Sequence, residues 1–190
     1  IHAFDLNGDF VLGWRDWAAF LGADDERGLA RYVNCGCLVM KTEGNRRLAP
    51  VLDTLEAIAD GGRTWLEVTT LVIPGHNDSR DELRRIADFI SGELGAEVPW
   101  HISAFYPTYK MHDRPPTSLA TLLMAREIGR ESGLHYVYLG NVNQADAGDT
   151  ICPGCGQTVI RRRRLQFIEM AISDQQCQYC QHAIAGVGLG

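Results

Sequence analysis

The sequence contains no run approaching 18 consecutive apolar residues, which excludes an apolar helix that crosses a membrane. Residues 1–6 supply neither a basic region nor a long apolar one, so no signal peptide is predicted and we expect a cytoplasmic protein. No interleaved aromatic side chains accompany the arginine run at 161–164, so the stacking platform typical of nucleic-acid binders is missing. We expect this run to be a solvated hairpin turn or a docking edge, with phosphate contact as the alternative.

Charge is distributed unevenly along the 190 residues, whose formal net charge is −6. Residues 151–190 hold four arginines against one glutamate and one aspartate, a net of +2, so residues 1–150 carry −8. A basic tail behind an acidic body indicates two modules, and it argues against nucleic acid as a partner of the body. The 45% hydrophobic and 22% charged residues are typical of a globular protein of one or two domains.

Helices and strands alternate through the middle of the chain. The pattern predicts helices that begin near residue 48, at the Ser79-x-x-Glu82 capping box, and at Thr117 or Ser118. Strands are predicted over residues 65–73, 98–105 and 135–139. Strand starts 33 and 37 residues apart, with a helix in each gap, are typical of βαβ units. The fold class is therefore α/β with parallel strands.

The loops after the carboxyl ends of parallel strands carry the ligands in such sheets. Here those loops are residues 74–78, 106–113 and 140–143. Gly75 in the first loop permits close approach of the backbone to a ligand, and the following helix amino terminus offers N–H groups to an anion. Plain turn chemistry explains the same residues equally well.

The second predicted strand has a polar side. His101 and Ser103 share one face of it, whereas Ile102 and Ala104 share the other. A polar face inside a barrel suits a substrate cavity. The alternative is a histidine whose hydrogen bonds are satisfied within a core.

Two C-x-x-C pairs near the carboxyl end are the strongest chemical signal, formed by Cys152 with Cys155 and by Cys177 with Cys180. Each turn presents two thiolates, and two turns complete a tetrahedral four-sulfur site with the spacing of a zinc ribbon. Metal binding is then expected to supply the folding free energy of a module with almost no apolar core. A hairpin is predicted between the pairs, over 157–163 and 165–172.

Several alternatives stay open for this tail. Two disulfides or an iron site of the same geometry would use the same cysteines. His182 is either a hydrogen-bond donor to the site or a solvated surface residue. Catalysis at the ion is not expected, because four thiolates leave no open coordination position.

The first 47 residues give weaker signals. Asp5, Asn7, Asp9 and Asp16 fall at calcium-loop positions, but Phe10 stands where the loop needs glycine, so a calcium site is the less favoured interpretation. Cys35 and Cys37 are either metal ligands, redox-active thiols or, more simply, buried free thiols.

Seven segments occur in a characteristic order: WLEVTTLVIPG at 65–75, NDS at 77–79, PWHIS at 99–103, YKM at 109–111, RPPT at 114–117, YVYLGNV at 136–142 and CPGCG at 152–156. Together they resemble the carboxyl-terminal half of the radical S-adenosylmethionine enzymes of the AmmeMemoRadiSam system. Those enzymes are similar to pyruvate formate-lyase activating enzymes. The resemblance covers residues 48–190.

The resemblance implies a partial (β/α) barrel with parallel strands over 48–147, followed by a zinc ribbon over 148–190, with residues 1–47 as an irregular segment or insert. It also implies a [4Fe–4S] cluster and S-adenosylmethionine, which generate a 5′-deoxyadenosyl radical that abstracts hydrogen from a substrate. Carried over by position, Thr69, Leu71, Gly75 and Tyr106 are the expected cofactor-binding residues.

One departure limits this expectation, because the 190 residues contain no C-x-x-x-C-x-x-C cluster motif. A site-differentiated cluster needs three thiolates, so we expect this chain to be inactive by itself and to be the carboxyl-terminal portion of such an enzyme. The expected partners are a missing amino-terminal half-barrel and a protein substrate. The alternative function is a non-catalytic zinc-ribbon binding module on an α/β scaffold.

Overall fold

Three parallel strands form the centre of the protein. The computed structural model describes residues 49–62, 65–107, 112–163 and 166–189. Strands β1 (Val68–Val72), β2 (Trp100–Ala104) and β3 (Val137–Gly140) lie side by side in chain order. Both pairs are parallel, which confirms the predicted α/β class. The calcium-loop residues and Cys35 and Cys37 lie outside the described residues.

Three helices alternate with these strands, α1 (Ala49–Gly61), α2 (Arg80–Phe89, continued by a π-helical turn over Ile90–Leu94) and α3 (Leu119–Glu131). The predicted capping box is confirmed, since Ser79 Oγ accepts from the Glu82 N–H at 3.3 Å and donates to Glu82 Oε2 at 2.8 Å. Ser118 caps α3. Among the described helices, none combines the length and apolar character that crossing a bilayer requires.

One face of the sheet packs against the helices. Alternation along each strand directs every second side chain to this face, where Trp100 and Ile102 are fully buried. They join an apolar core whose other members include Val68, Val72, Leu139, Leu55, Leu83, Ala87, Leu122, Ala125 and Ile128. The opposite side, here called the polar face, carries Thr69, His101, Ser103 and Tyr138.

Side chains from the following loops join the carboxyl ends of the strands. Asn77, which is 1% exposed, accepts the Ile73 N–H at 2.7 Å and donates to the Leu71 carbonyl at 2.9 Å. Thr117 Oγ1 accepts from the Phe105 N–H at 2.8 Å and donates to the Val72 carbonyl. Thr117 therefore bridges the ends of β1 and β2, and Ser118 is the residue that caps α3.

A second sheet follows at the carboxyl end. Strands β4 (Thr150–Ile151), β5 (Thr158–Arg163) and β6 (Gln166–Met170) are antiparallel. The predicted hairpin is confirmed, but its second strand stops at Met170 and does not continue to residue 172. Ile172–Ser173 instead forms β7, which pairs with β8 (Gln176–Cys177) across a two-residue turn at Asp174 and Gln175. Both turn residues have positive φ, as a tight type I′ hairpin requires.

The ribbon has a small apolar core, which corrects the expectation that it has almost none. The buried side chains of Val159, Ile160, Ile172 and Ile184 surround Cys152 and Cys177. Tyr136, just before β3, belongs to the same cluster, and its hydroxyl accepts the Ala185 N–H at 3.1 Å. The ribbon therefore packs directly against the parallel sheet.

Replacing Thr117 with valine tests the bridge between β1 and β2. The change keeps the side-chain shape but leaves the buried Phe105 N–H and Val72 carbonyl without this partner, so we expect a loss of about 1–3 kcal/mol in the free energy of unfolding. Urea unfolding measures it. Thr158→Val, in a strand and without such a bridge, is the control. Equal midpoints for the two variants would contradict the assignment.

Candidate metal centre

The two C-x-x-C turns fold alike. In the first turn the Cys152 N–H donates to the Gln157 carbonyl at 2.8 Å, and the Gly156 N–H donates to the Cys152 carbonyl at 2.9 Å. The second turn repeats both bonds at the same spacing: Cys177 N–H to the His182 carbonyl at 2.9 Å, and Gln181 N–H to the Cys177 carbonyl at 2.8 Å. Two matching turns thus present their cysteine pairs to a common point.

A left-handed residue ends each turn. Gly156 has φ +73°, which glycine adopts at little cost, while Gln181 holds φ +62° with a full side chain. The turns also touch, because a Cβ added at Gly154 would lie 2.7 Å from His182 Cγ. His182 thus packs over the first turn, and glycine at position 154 leaves room for it.

The four thiol sulfur atoms lie within 4.8 Å of one another. Cys152 Sγ is 3.6 Å from Cys180 Sγ, and Cys155 Sγ is 3.8 Å from Cys177 Sγ. Zinc–sulfur bonds of about 2.3 Å in a tetrahedron separate the sulfur atoms by about 3.8 Å. All four cysteines are free thiols, so the group fits a metal ion such as zinc and is not a pair of disulfides.

The thiols have unequal proton affinities. Burial raises the pKa of Cys152. Burial also tends to raise the pKa of Cys177. Hydrogen bonds from the Tyr179 N–H and interactions with the neighbouring thiols outweigh this effect and lower that pKa to about 7. For Cys180 the His182 N–H acts to lower the pKa, but the three neighbouring thiols raise it to about 12. Full ionisation of the group therefore needs a cation at its centre.

The four cysteines differ in how deeply they are buried. Cys152 and Cys177 are buried in the ribbon core, Cys155 is half-buried, and Cys180 is exposed. Within the described ranges this is the one group of three or more candidate ligands that could hold a metal ion. An ion held by four cysteines has no free position for a substrate, so its chemical role is structural.

The residues that the resemblance assigns to a cofactor lie within β1 and in the loops that follow β1 and β2. Thr69 and Leu71 lie in β1 on the side opposite the helices. Gly75 follows β1 with φ +76°, and Tyr106, 50% exposed, follows β2. Two of the four residues thus lie inside β1 and two in the following loops, and their role as cofactor ligands stays a prediction.

Sequence reasoning missed a chain of contacts on the polar face. Glu67 Oε2 lies 2.9 Å from His101 Nε2, and the His101 ring stacks on Tyr138 with centroids 5.1 Å apart. The hydrogen bond from His101, aided by one from Trp65, lowers the pKa of Glu67 despite its partial burial. The strand alternation could have placed His101 beside Tyr138, but nothing local in the sequence indicated Glu67 as its partner.

The arginine run contributes to the contact between ribbon and sheet. Arg162 lies over the Tyr138 ring at 6.0 Å and donates to the Gly148 carbonyl at 2.9 Å and to Thr150 Oγ1 at 2.8 Å. Arg161 instead pairs with Glu169 at 2.8 Å on the surface. The arginine run therefore contacts the parallel sheet through Arg162, and it is not wholly a solvated turn.

Comparison with curated proteins gives a relative but no family. The chain is 42% identical over 139 residues to a Methanocaldococcus jannaschii protein named Uncharacterized protein MJ0808. The aligned part is 72% of this chain and 41% of that relative, so the chain spans less than half the length of the curated relative it matches. No protein-family model matches the chain.

Changing Cys177 to serine tests the four-sulfur group. The change removes one buried ligand from the ribbon core, so we expect zinc affinity to fall at least about 100-fold and the ribbon to lose its fold. Competition with a chromophoric chelator measures the affinity. Gln178→Ser, at an exposed position of the same turn, is the control, and equal affinities for both variants would contradict the site.

Zinc affinity should also weaken steeply in acid. The ion binds thiolates, and the pKa values of Cys152 and Cys180 are raised, so protons compete for those ligands throughout the neutral range. We expect affinity to fall at least about 100-fold per pH unit below pH 7, with proton release on binding. Calorimetry in buffers of different ionisation enthalpy counts the protons. A pH-independent affinity would contradict thiolate ligation.

Proposed function

We propose that this chain is the carboxyl-terminal portion of a radical S-adenosylmethionine enzyme, carrying a structural zinc ribbon. The observation that carries the proposal is a parallel sheet in strict chain order with its helices on one face. This arrangement, the ordered motifs from 65 to 156 and the greater length of the relative all point to part of a larger β/α array.

The strand order supports a partial (β/α) barrel. In doubly wound folds the helices cover both faces and the strand order reverses at a switch point. In a (β/α) barrel the strands follow chain order and the helices form an outer ring. The order β1-β2-β3, with α1, α2 and α3 contributing to one core, fits such a barrel as it also fits one half of a doubly wound sheet, and the ordered motifs from 65 to 156 favour the barrel. The polar face then corresponds to the barrel interior.

This chain's own residues would form one wall of the cofactor site. Thr69 and Leu71 lie on the interior side of β1, and Gly75 and Tyr106 lie in the loops where barrel ligands bind. When bound, S-adenosylmethionine and a [4Fe–4S] cluster would supply a 5′-deoxyadenosyl radical that abstracts hydrogen from the substrate. The cluster cysteines must come from outside these 190 residues, which lack the motif.

Zinc in the ribbon would hold the polar face in place. Tyr136 packs into the cysteine cluster, and Arg162 of β5 reaches Tyr138 on the sheet. Metal binding therefore stabilises a module that contacts the sheet at Tyr136 and at Tyr138. Zinc is the proposed ion because the sulfur spacing matches its tetrahedral geometry.

A non-catalytic binding module is the second candidate. The observation that favours it is strand β6, which lies at the edge of its sheet and exposes Phe167, Ile168 and Met170. Exposed apolar edge strands pair readily with other chains. In this interpretation the parallel sheet is a scaffold and the ribbon is the interaction surface.

Anaerobic reconstitution with iron and sulfide separates the two candidates. We expect the longer Methanocaldococcus jannaschii relative to gain a cluster absorption band and to cleave S-adenosylmethionine to 5′-deoxyadenosine after reduction. The 190-residue chain should hold zinc alone and cleave nothing. Absence of both cluster and cleavage in the longer relative would contradict the enzyme proposal and favour the binding module.

A further inference from the structure

Strand β6 of the ribbon is exposed on both faces and along one edge. In the sheet order β4-β5-β6 it has β5 as its one neighbour among the described strands, and all five of its residues are exposed. Phe167 is 61% exposed, and Ile168 and Met170 are close to half exposed. An edge strand presents unpaired N–H and C=O groups to a further strand. Exposed apolar side chains along such an edge indicate an interaction surface.

The strand carries little of the protection that edge strands usually have. Lysine and proline commonly keep an edge from pairing, and Gln166–Met170 contains neither. Its one charged residue, Glu169, is paired with Arg161 of β5 at 2.8 Å. A register shift on β5 between Arg161 and Arg162 leaves Ile168 without a register partner. The edge therefore stays largely apolar, and the Ile168 side chain is available to another contact.

A recess of about 300 Å³ adjoins this strand. Ile168 lines it together with the arginines at 161–163 and with Asp146 and Asp149 from the loop before β4. Its volume is at the lower end of the range for ligand pockets, so it suits a single side chain better than a large cofactor. A side chain that enters it would contact both the ribbon and the loop that follows the parallel sheet.

Arg163 is the cation beside this recess that has no partner. Asp146 is paired with Arg126 at 2.9 Å, and Asp149 accepts the Arg162 N–H at 2.8 Å. Arg163 is exposed, and within the described part of the chain no ion pair includes it. A positive charge is thus available next to the apolar edge, where a carboxylate of a partner could pair with it.

The charge of the ribbon distinguishes among possible partners. Residues 151–190 carry a net charge of +2, so joining β6 to β6 of a second copy would bring two basic modules together. A nucleic acid would need several free cations for its phosphates. Arg161 and Arg162 are instead engaged by groups of the protein itself. An acidic protein segment matches both the apolar edge and the single free cation.

We propose that β6 binds an extended, acidic segment of another protein by strand addition. Main-chain hydrogen bonds along Gln166–Met170 hold the segment, as in other complexes formed by β-augmentation. Apolar side chains of the segment cover Phe167 and Ile168, and one of its carboxylates pairs with Arg163. The interface rests on the binding-module candidate, whose partner it specifies. It is also compatible with the enzyme proposal, because none of the four expected cofactor residues lies in the ribbon.

Nuclear magnetic resonance on the zinc-loaded 190-residue chain tests the interface with two capped heptapeptides, one alternating valine with aspartate and the other valine with lysine. We expect saturable shifts of the Gln166–Met170 backbone amides with the aspartate peptide. The dissociation constant of the lysine peptide should be at least about fivefold higher at low salt. Arg163→Glu should reverse this preference, because it replaces the free cation with a carboxylate.

Ile168→Ser removes apolar contact without changing charge, and the aspartate peptide should bind it at least about fivefold more weakly. Val187→Ser is the matched control, because Val187 is an exposed apolar residue outside β6. It should bind the peptide like the unchanged chain, and zinc content verifies folding of every variant. Three results would overturn the proposal: no saturable shift in β6, equal binding by the two serine variants, or equal affinity for the two peptides.

Other occupants of the edge give distinct outcomes. Sedimentation of the chain alone should show a monomer, and a dimer that Ile168→Ser dissociates would assign β6 to a second copy. A single-stranded oligonucleotide should shift the β6 amides less than the aspartate peptide does at equal concentration. Tighter binding of the oligonucleotide would assign the edge to nucleic acid. Either contrary result overturns the proposal.

This experiment is separate from the choice between the two functions. Peptide binding needs neither cluster nor S-adenosylmethionine, so its failure removes only this interface and leaves the reconstitution result unchanged. Conversely, a cluster and S-adenosylmethionine cleavage in the longer relative would reject the purely non-catalytic module, whereas the shifts of the β6 amides would still report the interface.

Discussion

Four cysteine sulfur atoms within 4.8 Å of one another repel each other when ionised unless a cation lies between them. The two backbone turns that bring them together are built alike, down to the spacing of their hydrogen bonds. Cys152 and Cys177 also belong to the ribbon's apolar core. Metal binding and core packing therefore depend on the same residues, and loss of the ion would loosen both.

The ribbon is joined to the parallel sheet through aromatic side chains of one strand. Tyr136 enters the cysteine cluster, while Tyr138 contacts Arg162 and Thr150 on one side and His101 on the other. Because β3 follows β2 in the sheet, an ion at the tail stabilises the surroundings of His101. The zinc ribbon thus contributes to the shape of the polar face.

Local patterns were sufficient to predict most of the framework. The Ser79–Glu82 capping box, the strand spacing and the C-x-x-C pairs each depend on residues close in sequence, and the structure agrees with all three. Long-range partners escaped prediction: Thr117 contacts Val72 across 45 residues, and Glu67 contacts His101 across 34 residues. Such contacts depend on how the strands align, which periodicity does not reveal. The β7–β8 hairpin was missed because its Asp174–Gln175 turn lacks the glycine that usually marks a type I′ hairpin.

X-ray absorption at the zinc edge tests the central claim most directly, on chain purified without added metal and titrated with one equivalent of zinc. We expect one zinc per chain with four sulfur neighbours at about 2.3 Å and no nitrogen or oxygen in the first shell. Fewer than four sulfur neighbours, or cysteines recovered as disulfides that bind no zinc, would contradict the account.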